Sequence, residues 1–295
     1  MKTLCFGSLN IDNVYDVPHF VARGETLAAS ELNIFSGGKG LNQSVALSRA
    51  GLEVFHAGAI GSDGKFLLDE LALAGVDTRY TAVLENTRTG HAIIQKAPDG
   101  DNCILLFGGA NRQITRDQID RTLENFEAGD LLVVQNEISE LHYLVSTAKS
   151  RGMLTALNPS PMEAALIPLL PQVDYLILNE IEAAQFLGLR LTGDPDEMLD
   201  ELTRRFPSVT IALTLGSDGS VYAKGAKRIR QEAIPVQAVD TTAAGDTFTG
   251  YLLAGLLTDG DPAAALKYAA TAAAIAVTRP GAAPSIPTKE EVKNY

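Results

Sequence analysis

The sequence predicts an α/β fold with a mostly parallel sheet and crossover helices, and three observations predict it. Short apolar runs recur with helical stretches between them, at Leu4–Gly7, Val54–Ala59, Leu131–Val134, Leu154–Leu157, Tyr175–Leu178 and Thr210–Leu215. Polar residues follow several of these runs directly: Asn10 and Asp12, Asn136 and Glu137, and Asn179 to Glu182. In open α/β sheets ligands bind at that carboxyl edge. Finally, 295 residues of 46% hydrophobic content are ample for a sizeable core.

Composition excludes several classes of function. A formal net charge of −12 argues against nucleic acid as the main partner, because phosphate backbones demand clustered Lys and Arg. An anionic substrate needs a local cationic site. Cys5 and Cys103 are too few for a disulfide framework and have no metal-ligand spacing, so a reducing cytoplasm is expected. The N-terminus enters a strand directly, and the most apolar helix, Ala263 to Val277, is broken by Lys267. No membrane segment is expected.

Taken in order, the first strand leads into Gly7-Ser8-Leu9-Asn10-Ile11-Asp12. Asn10 and Asp12 lie two apart in extended backbone and project the same way, so an amide and a carboxylate can bind adjacent hydroxyls. The stretch Asn13 to Phe35 lacks a clear helical face. Next, Ser36-Gly37-Gly38-Lys39-Gly40-Leu41-Asn42-Gln43 opens a helix to about Ala50, and its glycines let a ligand approach the main chain, with Lys39 and Asn42 facing it. The run Gly58 to Phe66 fails the phosphate-loop spacing and reads as a helix-entry turn.

Two β runs, His91–Gln95 and Cys103–Phe107, joined at Pro98-Asp99-Gly100, make a hairpin. With the Asn13–Phe35 excursion they form a small sheet projecting from the main body. His19, His56, His91 and His142 show no ligand spacing, and no Gly-x-Ser-x-Gly elbow exists, so metal hydrolysis and serine-nucleophile chemistry drop out.

The most informative segment runs from Asp240 to Gly250. Ala233–Val239 before it reads as a strand, and Phe248, Tyr251, Leu252, Gly255 and Leu256 after it share one helical face. An exposed carboxylate, Asp246, therefore stands at a helix start. Small residues Ala243, Ala244 and Gly245 leave the first backbone N–H groups uncovered for phosphate. A base beside a phosphate cradle points to phosphoryl transfer.

Together these motifs resemble the ribokinase-type (phosphofructokinase-B type) carbohydrate kinases over nearly the whole chain. The resemblance rests on Gly7 to Asp12, Gly37 to Gln43, Gly108-Gly109-Ala110-Asn111, Leu157 to Pro161, Asn179 to Glu182, Thr214 to Ser217, Asp240 to Gly250 and Ala276 to Ala282. It implies a single domain over 1–295, a three-layer α/β sandwich with a small β-sheet lid formed by about 13–36 and 90–108.

The resemblance also implies roles. Asp246 is the base toward a sugar hydroxyl, and the N–H groups of Ala243, Ala244, Gly245 and Asp246 form an anion hole. Asn10, Asp12, Gly38, Lys39, Asn42 and Glu137 match positions that hold the sugar. Asn179 and Glu182 match the nucleotide and Mg²⁺ neighbourhood, and Thr214 and Gly216 the nucleotide site. Asp240, Thr242, Ala276, Arg279, Gly281 and Ser285 match a loop for K⁺, mostly through backbone carbonyls. The implied reaction is ATP-dependent phosphorylation of the 5-hydroxyl of D-ribose, in a homodimer paired through the lids.

Acceptor-rich sugar positions with Lys39 as the principal cation favour a neutral polyol over a sugar phosphate. Another unphosphorylated sugar or a nucleoside is the alternative, its base fitting a slot of Phe20, Phe35, Ile93 and Phe107. A sugar sensor without turnover is a third reading, opposed by the intact Asp246, Gly245 and Glu182. Two departures from the family pattern stand out. Ala270 replaces a frequent polar residue beside the nucleotide, leaving nucleotide preference open, and no proline precedes Gly24-Glu25-Thr26.

Overall fold

The computed structural model describes residues 1–189 and 194–295. The strands in chain order are β1 (Thr3–Phe6), β2 (Asn10–Asp16), β3 (Glu31–Gly37), β4 (Val54–Gly61), β5 (Asp77–Leu84), β6 (Gly90–Lys96) and β7 (Asn102–Phe107), then β8 (Leu131–Gln135), β9 (Leu154–Asn158), β10 (Tyr175–Asn179), β11 (Thr210–Thr214), β12 (Ser220–Lys224) and β13 (Lys227–Gln231). The helices are α1 (Lys39–Arg49), α2 (Lys65–Leu73), α3 (Arg116–Leu123), α4 (Leu141–Ser150), α5 (Glu180–Leu187), α6 (Pro195–Arg205), α7 (Ala244–Thr258), α8 (Pro262–Val277) and α9 (Lys289–Lys293).

The main sheet has the order β13-β12-β11-β10-β9-β8-β1-β4-β5 and is parallel from β11 through β5, with β12 and β13 adding an antiparallel edge. Its central strands are covered on both faces, which is why they read as continuous apolar runs. Alternate side chains diverge: Phe6, Leu132, Val134, Leu176 and Leu178 join the core beneath α3 to α6, while Cys5, Val133 and Ile177 join the one beneath α1, α2, α7 and α8. Three layers result, as expected.

Three strands of the main sheet, β5, β12 and β13, carried no expected apolar run. β5 mixes half-buried and exposed residues, and β13 presents Lys227, Arg228 and Arg230. Both are edge strands, where charge blunts pairing with other chains. The expected strand at Ala233–Val239 does not form: the segment is irregular, and Pro235 lacks the N–H a ladder needs. It lies in sequence beyond β13, the last strand of the sheet, and its side chains line a cavity instead.

Helix α7 also departs from expectation. Instead of one apolar face it is buried all round from Asp246 to Gly255. Its close neighbour α1 explains how: a Cβ on Gly250 would stand 2.8 Å from the backbone of both Ala46 and Leu47. Only glycine admits that approach, and it brings α1 side chains onto the start of α7.

The second sheet has the order β3-β2-β6-β7, with β2 antiparallel to β3, β6 antiparallel to β7, and β2 parallel to β6. It unites the Asn10–Gly37 excursion with the expected hairpin. Register places Asp12, Phe35, Ala92 and Leu106 on one face, and Ile34, Ile93, Leu105 and His91 with Phe107 on the other. The slot proposed for a nucleoside base is therefore split, because Phe35 and Ile93 face opposite ways.

Candidate active site

The first strand in sequence lies between β4 and β8, so the chain order reverses there and opens a crevice at the carboxyl edge. The edge residues Ser8, Asn10, Gln135, Glu137 and Asn158 converge on that crevice with α1 and α7. Asn10 and Asp12 belong to β2 rather than to a loop, and so keep the shared direction that alternation predicts.

Asp246 is the third residue of α7 and, against expectation, is only 8% exposed. Its Oδ2 accepts a hydrogen bond from Asn42 Nδ2 at 3.0 Å and its Oδ1 one from Gln43 Nε2 at 2.9 Å. Burial is tolerable because both oxygens are bonded. The side-chain amide oxygen of Asn42 is buried without a partner among the described residues, and so is that of Gln135.

The glycine-rich loop packs on the β1–β2 turn. Gly38 caps α1 at φ +96°, and a Cβ there would stand 2.8 Å from the Ser8 carbonyl oxygen. Glu137 Oε2 accepts from the Lys39 backbone N–H at 3.2 Å and also from the Ser8 hydroxyl. Burial acts to lower the Lys39 ammonium, but the carboxylates of Asp246, Glu137 and Glu182 outweigh it and hold its pKa above the ordinary value. Burial, with the Glu137 charge, pushes the Asp12 carboxyl up to about 6.

Asn111 was not assigned a role from the sequence. Its side chain donates to Asn10 Oδ1 at 2.8 Å and to the Leu9 carbonyl at 3.2 Å, and accepts from Leu9 N–H at 3.1 Å. It thus fixes the backbone where β1 becomes β2. A small cavity of about 120 Å³ adjoins these residues, lined by Asn10, Leu106, Asn111, Arg112, Asn136 and Glu137 among others.

On the other side of α7 lies a cavity of about 440 Å³ whose lining includes Thr214, Gly216, Pro235, Gly245, Phe248 and Ala270. Ala243 turns the chain into α7 in the left-handed region, at φ +60°. Ala244 N–H bonds the Thr241 carbonyl and Thr247 N–H the Ala243 carbonyl, while the N–H groups of Gly245 and Asp246 bond none of the described residues. A Cβ on Gly245 would meet nothing within 4 Å. Two free donors, the helix dipole and open space at the cavity mouth are features that suit an anion.

Asn179 and Glu182 stand elsewhere: they form a capping box at α5, Asn179 Oδ1 accepting from Glu182 N–H at 2.8 Å and Glu182 Oε2 from Asn179 N–H at 3.0 Å. Neither lines the large cavity, although Glu182 reaches Lys39 electrostatically. Beside α7, Asp240 Oδ1 accepts from Thr242 N–H at 2.9 Å and from its hydroxyl at 2.6 Å, and Oδ2 accepts from Gly281 N–H at 2.9 Å. Burial acts to raise the Asp240 carboxyl, and those hydrogen bonds bring it below its ordinary value. Ser285 bonds the Ala282 carbonyl, Ala276 accepts from Arg279 N–H, and the Arg279 side chain turns away to Glu291 at 2.6 Å.

A carboxylate at a helix start, polar side chains on one side of it and an apolar cavity on the other, is an arrangement for phosphoryl transfer to a hydroxyl. The profile of the pfkB family carbohydrate kinases matches residues 1–289. The chain belongs to that family. As a pfkB family kinase it is a phosphotransferase acting on an alcohol group. The ribokinase of Haemophilus influenzae is 35% identical over 300 residues, covering 100% of this chain and 98% of that one. The deoxyribokinase of Salmonella typhi is 29% identical, covering 100% and 98%. Among solved structures, the Arabidopsis thaliana ribokinase complexed with ribose and ATP superposes with a TM-score of 0.89 at 28% identity, covering 99% and 97%.

Within this pfkB family kinase, the expected residues Asn42, Lys39, Glu137 and Asp246 meet in one cluster, and Thr214, Gly216, Ala244 and Gly245 meet in the large cavity. Sequence reasoning passed over Gln43, Gln135, Asn158 and Asn111. The one available signal was an excess of amides at strand ends, among them Gln135 and Asn158 paired across β8 and β9.

Proposed function

We propose that this kinase transfers the γ-phosphoryl group of ATP to the primary 5-hydroxyl of D-ribose, giving ribose 5-phosphate. The observation that carries the reading is Asp246: one residue places a carboxylate among the polar sugar positions and a free backbone N–H at the mouth of the large cavity. Asp246 takes the proton of the acceptor hydroxyl as that oxygen bonds the γ-phosphorus and the bond to the ADP oxygen breaks. The free N–H groups of Gly245 and Asp246 stabilise charge on the phosphoryl oxygens, the main task in such transfers. A positioned base contributes on the order of 10²- to 10⁴-fold.

The nucleotide base would occupy the apolar cavity, with Thr214 and Gly216 at its wall. Mg²⁺ would be held chiefly by the phosphates, as such ions commonly are, with Asn179 and Glu182 near. It would neutralise developing charge. The 240–242 and 276–285 segments suit K⁺, because Asp240 already joins them and stays anionic.

The small sheet would close over the sugar as a lid, excluding water that would otherwise accept the phosphoryl group. Its outward face exposes Leu32, Ile34, Leu105 and Phe107, an apolar patch suited to pairing two lids in a homodimer. The reading is tested by ADP release with ribose, deoxyribose, other pentoses, hexoses, nucleosides and sugar phosphates. No turnover of ribose, with turnover of another acceptor, overturns the ribose assignment.

One observation favours a second reading, an acceptor larger than ribose. The cavity of about 120 Å³ continues from Asn10 and Glu137 toward Asn136 and Arg112, so a polar substituent on the sugar has room there.

A further inference from the structure

We infer that Gln43 is a positioning residue that fixes the carboxylate of Asp246, and that Gln135 and Asn158 in turn fix Gln43. The inference rests on the reading of Asp246 as the base. Gln43 Nε2 carries two hydrogens, and both are placed: one bonds Asp246 Oδ1 at 2.9 Å, the other Asn158 Oδ1 at 3.2 Å. Gln43 Oε1 accepts from Gln135 Nε2 at 2.6 Å. Turning the Gln43 amide over would set its oxygen against two others, so only one orientation satisfies the network.

The anchors are themselves oriented. Asn158 Nδ2 donates to the Ile177 carbonyl at 2.9 Å, which leaves its oxygen toward Gln43. Gln135 is fully buried, and its second Nε2 hydrogen faces Cys5 Sγ at 3.6 Å. Burial pushes the Cys5 thiol up to about 11, so the far end of the chain is neutral. Gln135 and Asn158 are register partners on adjacent rigid strands, so the chain transmits the sheet's geometry to the base.

Each oxygen of Asp246 thus accepts one amide hydrogen bond, Oδ2 from Asn42 and Oδ1 from Gln43, and the Gln43 amide is held in turn by two strands of the sheet. A base displaced by about an ångström can lose about 10²-fold in rate.

The test compares kcat, KM and thermal midpoint for wild type, Gln43→Met, Gln43→Glu, Gln135→Leu and Asp246→Asn, using whichever sugar the wild type phosphorylates. Gln43→Met should lower kcat about 10- to 100-fold, with the sugar KM within about threefold. Adding Gln43→Met to Asp246→Asn should cost nothing further, and Gln135→Leu should add nothing to Gln43→Met. Gln43→Glu should recover relative to Gln43→Met as pH falls from about 8 to 6, because a protonated carboxyl can again donate to Oδ1. That recovery separates positioning from loss of fold and remains readable if Gln43→Met does not fold.

A wild-type kcat in Gln43→Met overturns the inference, as does an undiminished loss in the Asp246→Asn background or a Gln43→Glu variant without recovery. A wild type that phosphorylates no sugar and no nucleoside overturns the reading of Asp246 as the base instead.

Discussion

Asp240 holds Gly281 by a hydrogen bond of 2.9 Å from its backbone N–H, which joins the loop before α7 to the loop after α8. If that junction carries K⁺, cation choice should act on the anion site through it. We expect higher kcat in K⁺ than in Na⁺ at equal ionic strength, and loss of the difference in Asp240→Asn with about a tenfold lower kcat. Because the folded-state pKa of Asp240 is depressed, its stabilisation is present above the ordinary aspartate value and is lost as pH falls through the depressed one. Acid unfolding of Asp240→Asn should therefore lack that component. Indifference to the cation would count against the loop.

Asp246→Asn keeps the side-chain volume and removes the base. Phosphorylation should fall by at least about 10²-fold. Sugar binding measured by calorimetry should largely survive. Equal activity in the variant would refute the assignment.

Asp12 predicts a conflict between stability and binding. Its carboxyl is raised from 3.8 to about 6 by burial and by Glu137, so ionisation in the fold is unfavourable: stability is fullest below the unfolded value and declines as pH rises through about 6. Asp12→Asn should raise stability at neutral pH by about 1–2 kcal/mol, discounted for partial exposure, and raise it little near pH 3. Sugar KM should rise in the same variant, and in wild type below about pH 6 as the acceptor is protonated.

Ala243 adopts φ +60°, which costs an L-residue about 1–2 kcal/mol. Ala243→Gly should therefore stabilise by up to about 1 kcal/mol after the entropy of glycine is subtracted. Activity should be retained, since the N–H groups stay in place. A destabilised variant would show that the methyl packs usefully in the buried turn.

If the small cavity takes a sugar substituent, Arg112→Ala and Asn136→Leu should lower kcat/KM about tenfold for substituted acceptors, such as methyl ribofuranoside or nucleosides. Ribose itself should change less than about twofold. Parallel losses on all acceptors would assign both residues to structure.

The six apolar runs were legible because strands covered on both faces leave a continuous hydrophobic record, and each became a strand of the main sheet. The Asp240–Gly250 and Gly37–Gln43 segments were legible because glycine and small residues before a helix serve few purposes. The edge strands β5 and β13 were not, since their residues answer to solvent and one neighbour. The strand expected at Ala233–Val239 failed because apolar side chains lining a cavity carry the same pattern as those lining a sheet.

The sequence by itself determined the layered α/β architecture, the hairpin, and a carboxylate at the head of a helix with bare N–H groups. These follow from local periodicity and backbone chemistry. Tertiary structure alone decided that Asp246 is buried and bonded by two amides from α1, that Gln135 and Asn158 stand behind one of them, and that Asn111 clamps Asn10 across 101 positions. The physical reason is the same in each case. A hydrogen bond between distant residues leaves no periodic trace in either segment; for Asp246, the close packing of Gly250 on α1 helps bring Asn42 and Gln43 within reach.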